Sequence, residues 1–587
     1  MKQDDLILIH APSVYDFRKE SILYGPVSDL VPSTPVFEMY PIGFTTLAEY
    51  LERDGFRVRI VNLAVLMMRD RDFDAEAFLK NLNSKAFGID LHWLPHAHGA
   101  LAVGDLLRKL HPEIPLMFGG FSSTFFHEEL AARPATDYVL RGDSTEEPML
   151  LLMRHITGKG TPVPALESIP NLTWKDADGN VRVNPLDYVP RNLNHVRLDY
   201  SQVVRSVVRS RDLIGALPFI DWLRYPIMAA LSCRGCSCRC RTCGGSAMAM
   251  NSMCLRERPA YRSPEDLAAD IWSMSRWSRG PVFVLGDIRF GGEGYADKFL
   301  SLVKGATDQL ILEVLTPAPR SFFRKLGEAA PDFILQMSPE SHDEKVRAAF
   351  GRTYNNAALE ETIAGALEAG CKRFDLFFMI GLPEQTYESV METVEYCGRL
   401  MERFNTGGQP RLFPFISPFA PFLDPGSEVF NNPEKYGYKL LRRTLEEHRQ
   451  ALVQPSWKHV LNYETRWMSR DEIAAASYEA GLRFNQLKVK YGLIGEQQAA
   501  ATEERIKRAM RLMARIDEIL AEPDEKLRNE LLQAIKSQVD SANISTVCDK
   551  RELEAQISGL WKINFVRGIQ VAISEMWREF RGTNQHR

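Results

Sequence analysis

The stretch Leu231-Ser232-Cys233-Arg234-Gly235-Cys236-Ser237-Cys238-Arg239-Cys240-Arg241-Thr242-Cys243-Gly244-Gly245-Ser246 decides how the rest of the chain is read. Five of the nine cysteines fall between Cys233 and Cys243. A disulfide framework spreads its cysteines through a small secreted domain. One dense knot in a chain of 587 residues points instead to metal. The knot contains Cys236-x3-Cys240-x2-Cys243, directly after an apolar run that reads as a strand. Three thiolates on one short loop hold three irons of a [4Fe–4S] cube and leave the fourth iron without a protein ligand. An open iron accepts a small chelate, as catalytic metal sites keep one position free. The competing reading closes four thiolates (Cys233, Cys236, Cys240 and Cys243) around a structural zinc or cluster. Two such knuckles normally need a dozen or more residues between them to fold back around one ion, and three are present here.

Downstream of the knot, strand-like runs alternate with helical ones. The strand candidates are Ile227–Leu231, Val282–Leu285, Leu310–Leu315, Phe333–Met337, Phe374–Ile380 and Leu412–Ile416, with helices such as Ser263–Trp277 and Asn356–Ala369 between them. Six βα units predict a full or partial barrel with its chemistry on the loops after the strands. Upstream, Leu6–His10, Arg57–Leu63, Ala86–Leu91, Leu116–Phe118 and Tyr138–Leu140 alternate with helices over Ile42–Arg53 and Ala97–Leu110. That pattern predicts a parallel sheet covered by helices, with ligands at the carboxyl ends of its strands. Gly119-Gly120 and Arg141-Gly142-Asp143 stand at those ends. Residues 159–215 read as a connector holding one hairpin, Asn171–Trp174 and Val181–Val183 around Gly179. From 432 onward the pattern is helical: Ile506, Met510, Met513 and Ile516 recur at steps of three and four, and Leu527–Val539 continues similarly. The expected fold is α/β: a doubly wound, flavodoxin-like parallel-sheet domain over 1–158, the connector, a partial (β/α)6 barrel over 216–431, and a helical domain over 432–587.

The net charge of -4 gives no general attraction to phosphate backbones, which disfavours a nucleic-acid-binding module. No run reaches about 18 apolar residues without a charge, and the N-terminus carries no signal-peptide pattern, so a soluble cytoplasmic protein is expected. Between residues 201 and 262, ten arginines stand against Asp212, Asp221 and Glu257. This local excess either faces an anionic substrate or is neutralised by the cluster and the surface.

Ser232–Ser246 resembles the cluster loop of radical S-adenosylmethionine (SAM) enzymes, Ser-Arg-Gly-Cys-x3-Cys-x2-Cys-Gly-Gly, with Cys233 inserted before Arg234. Other elements follow in that family's order. Pro281–Phe290, with Asp287, is similar to its second-strand motif, and Glu313 stands on the third strand. Ser338-Pro339-Glu340-Ser341 and Phe350-Gly351-Arg352 follow, then Ile380-Gly381-Leu382-Pro383 and Asp424-Pro425-Gly426-Ser427. The first domain is similar to the cobalamin-binding domain of one branch of the family, through Tyr40-Pro41-Ile42-Gly43 to Val58, Phe118–Thr124, and Leu140–Ser144 with Glu146.

The resemblance implies an iron–sulfur enzyme with cobalamin, a [4Fe–4S] cluster on Cys236, Cys240 and Cys243, and SAM held near Asp287, Glu313, Glu340 and Gly381. The implied activity is radical SAM C-methylation of a small molecule, with methylcobalamin as methyl carrier and a low-potential electron donor. A cobalamin-dependent cyclase or rearranging enzyme shares every motif. A methylthiotransferase would need a second cysteine trio before the barrel, and no cysteine precedes Cys233. For cobalamin, the resemblance implies a displaced base lodged near Gly119, Gly120 and Ser122, with the lower face of cobalt covered by Leu91–Leu94, chiefly Trp93. The alternative is direct ligation by His92, within Asp90-Leu91-His92.

Overall fold

The computed structural model describes residues 2–26, 34–278, 280–307, 309–418, 422–543, 547–554 and 563–584. The first sheet is built from β1 (Leu6–His10), β2 (Val58–Asn62), β3 (Phe87–Asp90), β4 (Leu116–Gly119), β5 (Tyr138–Leu140), β6 (Leu172–Lys175) and β7 (Val181–Val183). Its order is β2-β1-β3-β4-β5-β6-β7. The first five strands run parallel, and β6 and β7 add antiparallel at one edge. The hairpin placed in a connector by its sequence is therefore an extension of this sheet. β1, β2 and β3 are buried along their whole length, as strands covered on both faces must be. Helices Ile42–Arg53 and Glu146–Thr157 pack side by side on one face.

β8 (Met228–Leu231) begins the second sheet and leads into the cysteine loop. There β9 (Cys233–Arg234) and β10 (Ala260–Tyr261) form a two-residue antiparallel ladder. β11 (Val282–Leu285), β12 (Leu310–Glu313), β13 (Ile334–Glu340), β14 (Arg373–Ile380) and β15 (Leu412–Pro418) complete it in the order β15-β14-β13-β12-β11-β8, all parallel. β15 and β8 do not pair, so the barrel is partial. The β13 ladder shifts register between Met337 and Glu340, and Pro339 inside that step has no N–H to offer its neighbour. Glu340 takes φ +70° there.

The C-terminal part is helical, with one exception. β16 (Tyr438–Leu440) and β17 (Tyr463–Thr465) pair antiparallel, too short for any periodicity to announce. The Tyr438 hydroxyl donates to the Gly381 carbonyl at 2.7 Å and ties this ladder to the barrel. Ser469 and Glu472 form a capping box that starts the long helix Arg470–Lys490, which packs on β15. Glu496–Leu520 follows. The continuous helix expected over Leu527–Val539 is two helices, Glu525–Ala534 and Lys536–Ala542, because the chain turns at Ile535 to bury that side chain. A last helix, Phe565–Asn584, lies against helix Ser201–Ser210. Buried side chains of both sheets and of the C-terminal helices form one continuous apolar core.

Candidate functional site

Both sheets direct their carboxyl ends toward one region, where the cysteine loop lies. The Cys236 sulfur accepts the Cys238 amide at 3.3 Å, and the Cys243 sulfur accepts the Gly245 amide at 3.3 Å. The Cys238 thiol donates to Cys236, which together with that amide lowers the Cys236 thiol to about 6. Burial pushes the Cys240 thiol up to about 11 and the Cys243 thiol higher still. Cys233 belongs to the β9–β10 ladder, opposite Tyr261, and burial raises its thiol to about 11. Among the described residues no three sulfurs lie within 4.8 Å of one another. A zinc ion at about 2.3 Å from each sulfur would hold its thiolates within roughly 4 Å. Among the described residues the thiols are therefore not gathered as a closed zinc site would hold them.

Around the thiols stand the strand-end residues. Asp287 is there, and its carboxylate accepts the Arg289 guanidinium at 2.9 and 2.5 Å and the Leu315 amide at 2.9 Å. Glu313 accepts only the Gly286 amide, at 2.7 Å, and burial raises its pKa. Glu340 pairs with Arg352 at 3.2 Å, and burial pushes its carboxyl up to about 7 against that attraction. Arg352 also faces the Cys240 thiol. Gly381 sits at the end of β14 with φ +98°; its N–H is given to Gln385 and its carbonyl to Tyr438, so it shapes a turn.

On the first domain, a slot of about 420 Å³ opens between the sheet and helices Ile42–Arg53 and Glu146–Thr157. Gly88, Gly119, Gly120 and Gly142 floor it, Ile42, Met117, Leu140 and Met149 wall it, and Cys233, Arg234 and Gly235 of the cysteine loop close one end. An apolar slot of this size takes a flat ring system. Gly120 has φ +116°, and a Cβ there would overlap the His92 backbone, so the floor stays bare and the strand ends touch. Ser122 is buried in the following turn, off the slot wall. Trp93 is off it as well: its ring meets Phe37 edge-on at 5.2 Å and its indole bonds Asp424.

His92, by contrast, faces the slot. Its Nδ1 donates to Asp90 at 2.6 Å, and its Nε2 makes no hydrogen bond among the described residues. Asp90 also accepts Nδ1 of fully buried His10 at 3.0 Å, while Nε2 of His10 donates to the Phe37 carbonyl at 3.0 Å. Both ring nitrogens of His10 therefore carry protons. Burial opposes that charge, but Asp90 outweighs it and the His10 pKa rises. The two histidines likewise overcome burial to hold the Asp90 carboxyl well below the usual range.

Two arginines, half-buried Arg234 in the cysteine loop and buried Arg256 beyond it, reach acids of the first domain. Arg234 grips Glu146 through both Nη atoms, at 2.8 and 2.5 Å, and also meets Ser144 and Thr46. Arg256 pairs with Asp143 and donates to the Pro190 carbonyl at 3.0 Å. No local signal in the sequence announced either pair, since each joins residues more than 80 positions apart. Of the ten arginines between residues 201 and 262, Arg205, Arg209, Arg224, Arg234, Arg241, Arg256 and Arg262 have acidic partners within the chain.

The family profile for the B12 binding domain matches residues 30–151, and that for the radical SAM superfamily matches residues 231–397. The chain is a cobalamin-binding radical SAM enzyme. Its cofactors are cobalamin, SAM and a [4Fe–4S] cluster, and the slot and the cysteine loop fall inside the two matched segments. Comparison with curated protein sequences returns no match. Among solved structures, the fold is similar to that of TsrM from Kitasatospora setae, a radical SAM methyltransferase with cobalamin and a [4Fe-4S] cluster bound. The identity is 13%, coverage is 87% of this chain and 100% of that one, and the TM-score is 0.55. It is also similar to OxsB, a cobalamin-dependent SAM radical enzyme with aqua-cobalamin bound, at 11% identity, 99% and 81% coverage, and a TM-score of 0.52. At such identities the likeness is one of fold. No helix among the described residues is long and apolar enough to cross a membrane.

Proposed function

We propose that this enzyme is a C-methyltransferase acting on a small molecule. One observation carries the reading: the slot of the first domain ends on Cys233, Arg234 and Gly235 of the cysteine loop, so both cofactor sites open on one chamber. When bound, the cluster supplies an electron to cleave SAM and cobalamin supplies a methyl carrier, the hard chemistry being the cofactors' own. The chain's residues hold and orient. Cys236, Cys240 and Cys243 are the cluster ligands. Asp287, Glu313 and Glu340 would hold the cationic parts of SAM, while Gly381 shapes the neighbouring turn. Gly119 and Gly120 bare the slot floor for the displaced base, with Ser122 behind it. TsrM, a methyltransferase, shares the architecture.

The test is anaerobic incubation with cobalamin, a low-potential reductant, methyl-labelled SAM and a metabolite extract. Label in a product heavier by one methyl group, together with S-adenosylhomocysteine, is the expected result. A product without added label would replace methylation by cyclisation or rearrangement. In the same assay Glu313→Gln should raise the SAM requirement about tenfold, the scale of one charge-assisted hydrogen bond. An unchanged requirement would remove Glu313 from the SAM site.

His92, which faces the slot, would be the group toward cobalt, and Trp93, the cover that the resemblance implies, is the alternative. A carboxylate on the far nitrogen orients an imidazole and raises its basicity toward a metal. Asp90 stands in that relation to His92 at 2.6 Å. The Co(II) protein should show nitrogen splitting in its electron paramagnetic resonance spectrum, and His92→Ala should abolish it. Splitting that persists in the variant, or is missing from the wild type, would return Trp93 or its neighbours to the lower face.

A further inference from the structure

The last helix, Phe565–Asn584, presents an exposed apolar face. Phe565, Val566, Ile569, Ile573, Met576 and Trp577 are each between 46% and 66% exposed. Phe580, edge-on to Trp577 at 6.3 Å, continues the stripe. Steps of three and four place all of them on one side of a helix. The helix cannot roll to bury them in its own chain, because its opposite side is pinned. Buried Glu575 accepts Arg209 at 2.6 Å, Glu579 accepts Arg57 at 2.6 Å, and Arg567 lies over Trp277. Val571 packs on the core, and the Asn564 amide donates to the Trp277 carbonyl at 2.7 Å.

We propose that this face docks on the same face of a second copy of the chain, making a two-fold dimer. Six large apolar side chains, each about half exposed, offer on the order of 600 Å² before any polar rim. That is the upper end of what monomers leave bare, and most of the roughly 800 Å² each partner gives to a standard interface. The stripe is also nearly palindromic. Around an axis at Ile573, an antiparallel copy brings Phe565 toward Phe580 and Ile569 toward Met576 and Trp577. An isologous contact requires this self-complementarity. A lipid surface is less well served. The helix carries three arginines against Glu575 and Glu579, and the whole chain is net acidic, so anionic lipid gains little electrostatic attraction.

The test is sedimentation of the cofactor-loaded full chain. A mass of twice 66.7 kDa is expected for the wild type, and a fall to 66.7 kDa for Ile573→Asp/Trp577→Asp with iron content and thermal midpoint unchanged. Ile573→Cys should be joined to its partner by a short bismaleimide across the axis, at a rate well above that of the wild-type cysteines. A monomeric wild type at tens of micromolar protein, or a variant that remains dimeric, would overturn the proposal. A monomer that cosediments with phosphatidylserine vesicles would overturn it in favour of membrane docking.

Discussion

Alanine at Cys236, Cys240 or Cys243 should empty the protein of its cluster and abolish SAM cleavage. Alanine at Cys233 or Cys238 should leave iron at about four per chain. The asymmetry comes from where each sulfur stands. Cys233 stands at the start of the loop, where its backbone pairs with Tyr261 in the two-residue ladder. Cys238 serves Cys236, its thiol donating to the Cys236 sulfur, so its loss makes Cys236 less acidic without removing a ligand. Cys240, with Cys238 and Cys243 beside it, packs against Val346, Phe350 and Leu382, an apolar wall that would shield a bound cluster from water. Iron analysis and the spectrum of the reduced protein read the result. Loss of iron on changing Cys238 alone would overturn the register.

The second large effect concerns the joint between the two cofactor sites. Glu146→Ala should cost about 3 kcal/mol of stability, because it takes the paired carboxylate from the largely enclosed Arg234 guanidinium and leaves only the more distant charge of Asp143. Cobalamin affinity should fall with it, since Glu146 and Arg234 both line the slot. Changing both residues, Glu146→Ala with Arg234→Met, should recover much of the stability but not the cobalamin affinity, as removal of a buried pair is far milder than removal of one partner. Burial raises the Glu146 pKa, but Arg234 outweighs it and holds the carboxyl well below its ordinary 4.5. A depressed folded-state pKa stabilises the fold above the unfolded value and loses that contribution as pH falls below it. The wild-type thermal midpoint should therefore drop as pH falls below about 4.5, and the double variant should show less of that drop. Equal acid sensitivity in the two proteins would remove Glu146 from the account.

The sequence alone was enough for the features that local pattern encodes. β14, apolar over Phe374–Ile380, and helix Ala97–Leu110 could be placed because a strand buried on both faces and an amphipathic helix repeat within one element. The x3 and x2 spacing of Cys236, Cys240 and Cys243 spoke for a three-thiolate loop because the ligands share one short segment. Tertiary structure decided what joins distant segments. His10 and Asp90 meet across 80 positions, and Arg234 and Glu146 across 88. Asp287 meets Arg289 and the Leu315 amide, and Arg205 and Arg209 of the arginine-rich stretch meet acids from other elements. The hairpin at Gly179 turned out to extend a sheet because the β5 edge was open to pair with it. Periodicity and spacing are properties of neighbours in the chain, whereas a buried charge takes its partner from whatever the packing brings beside it.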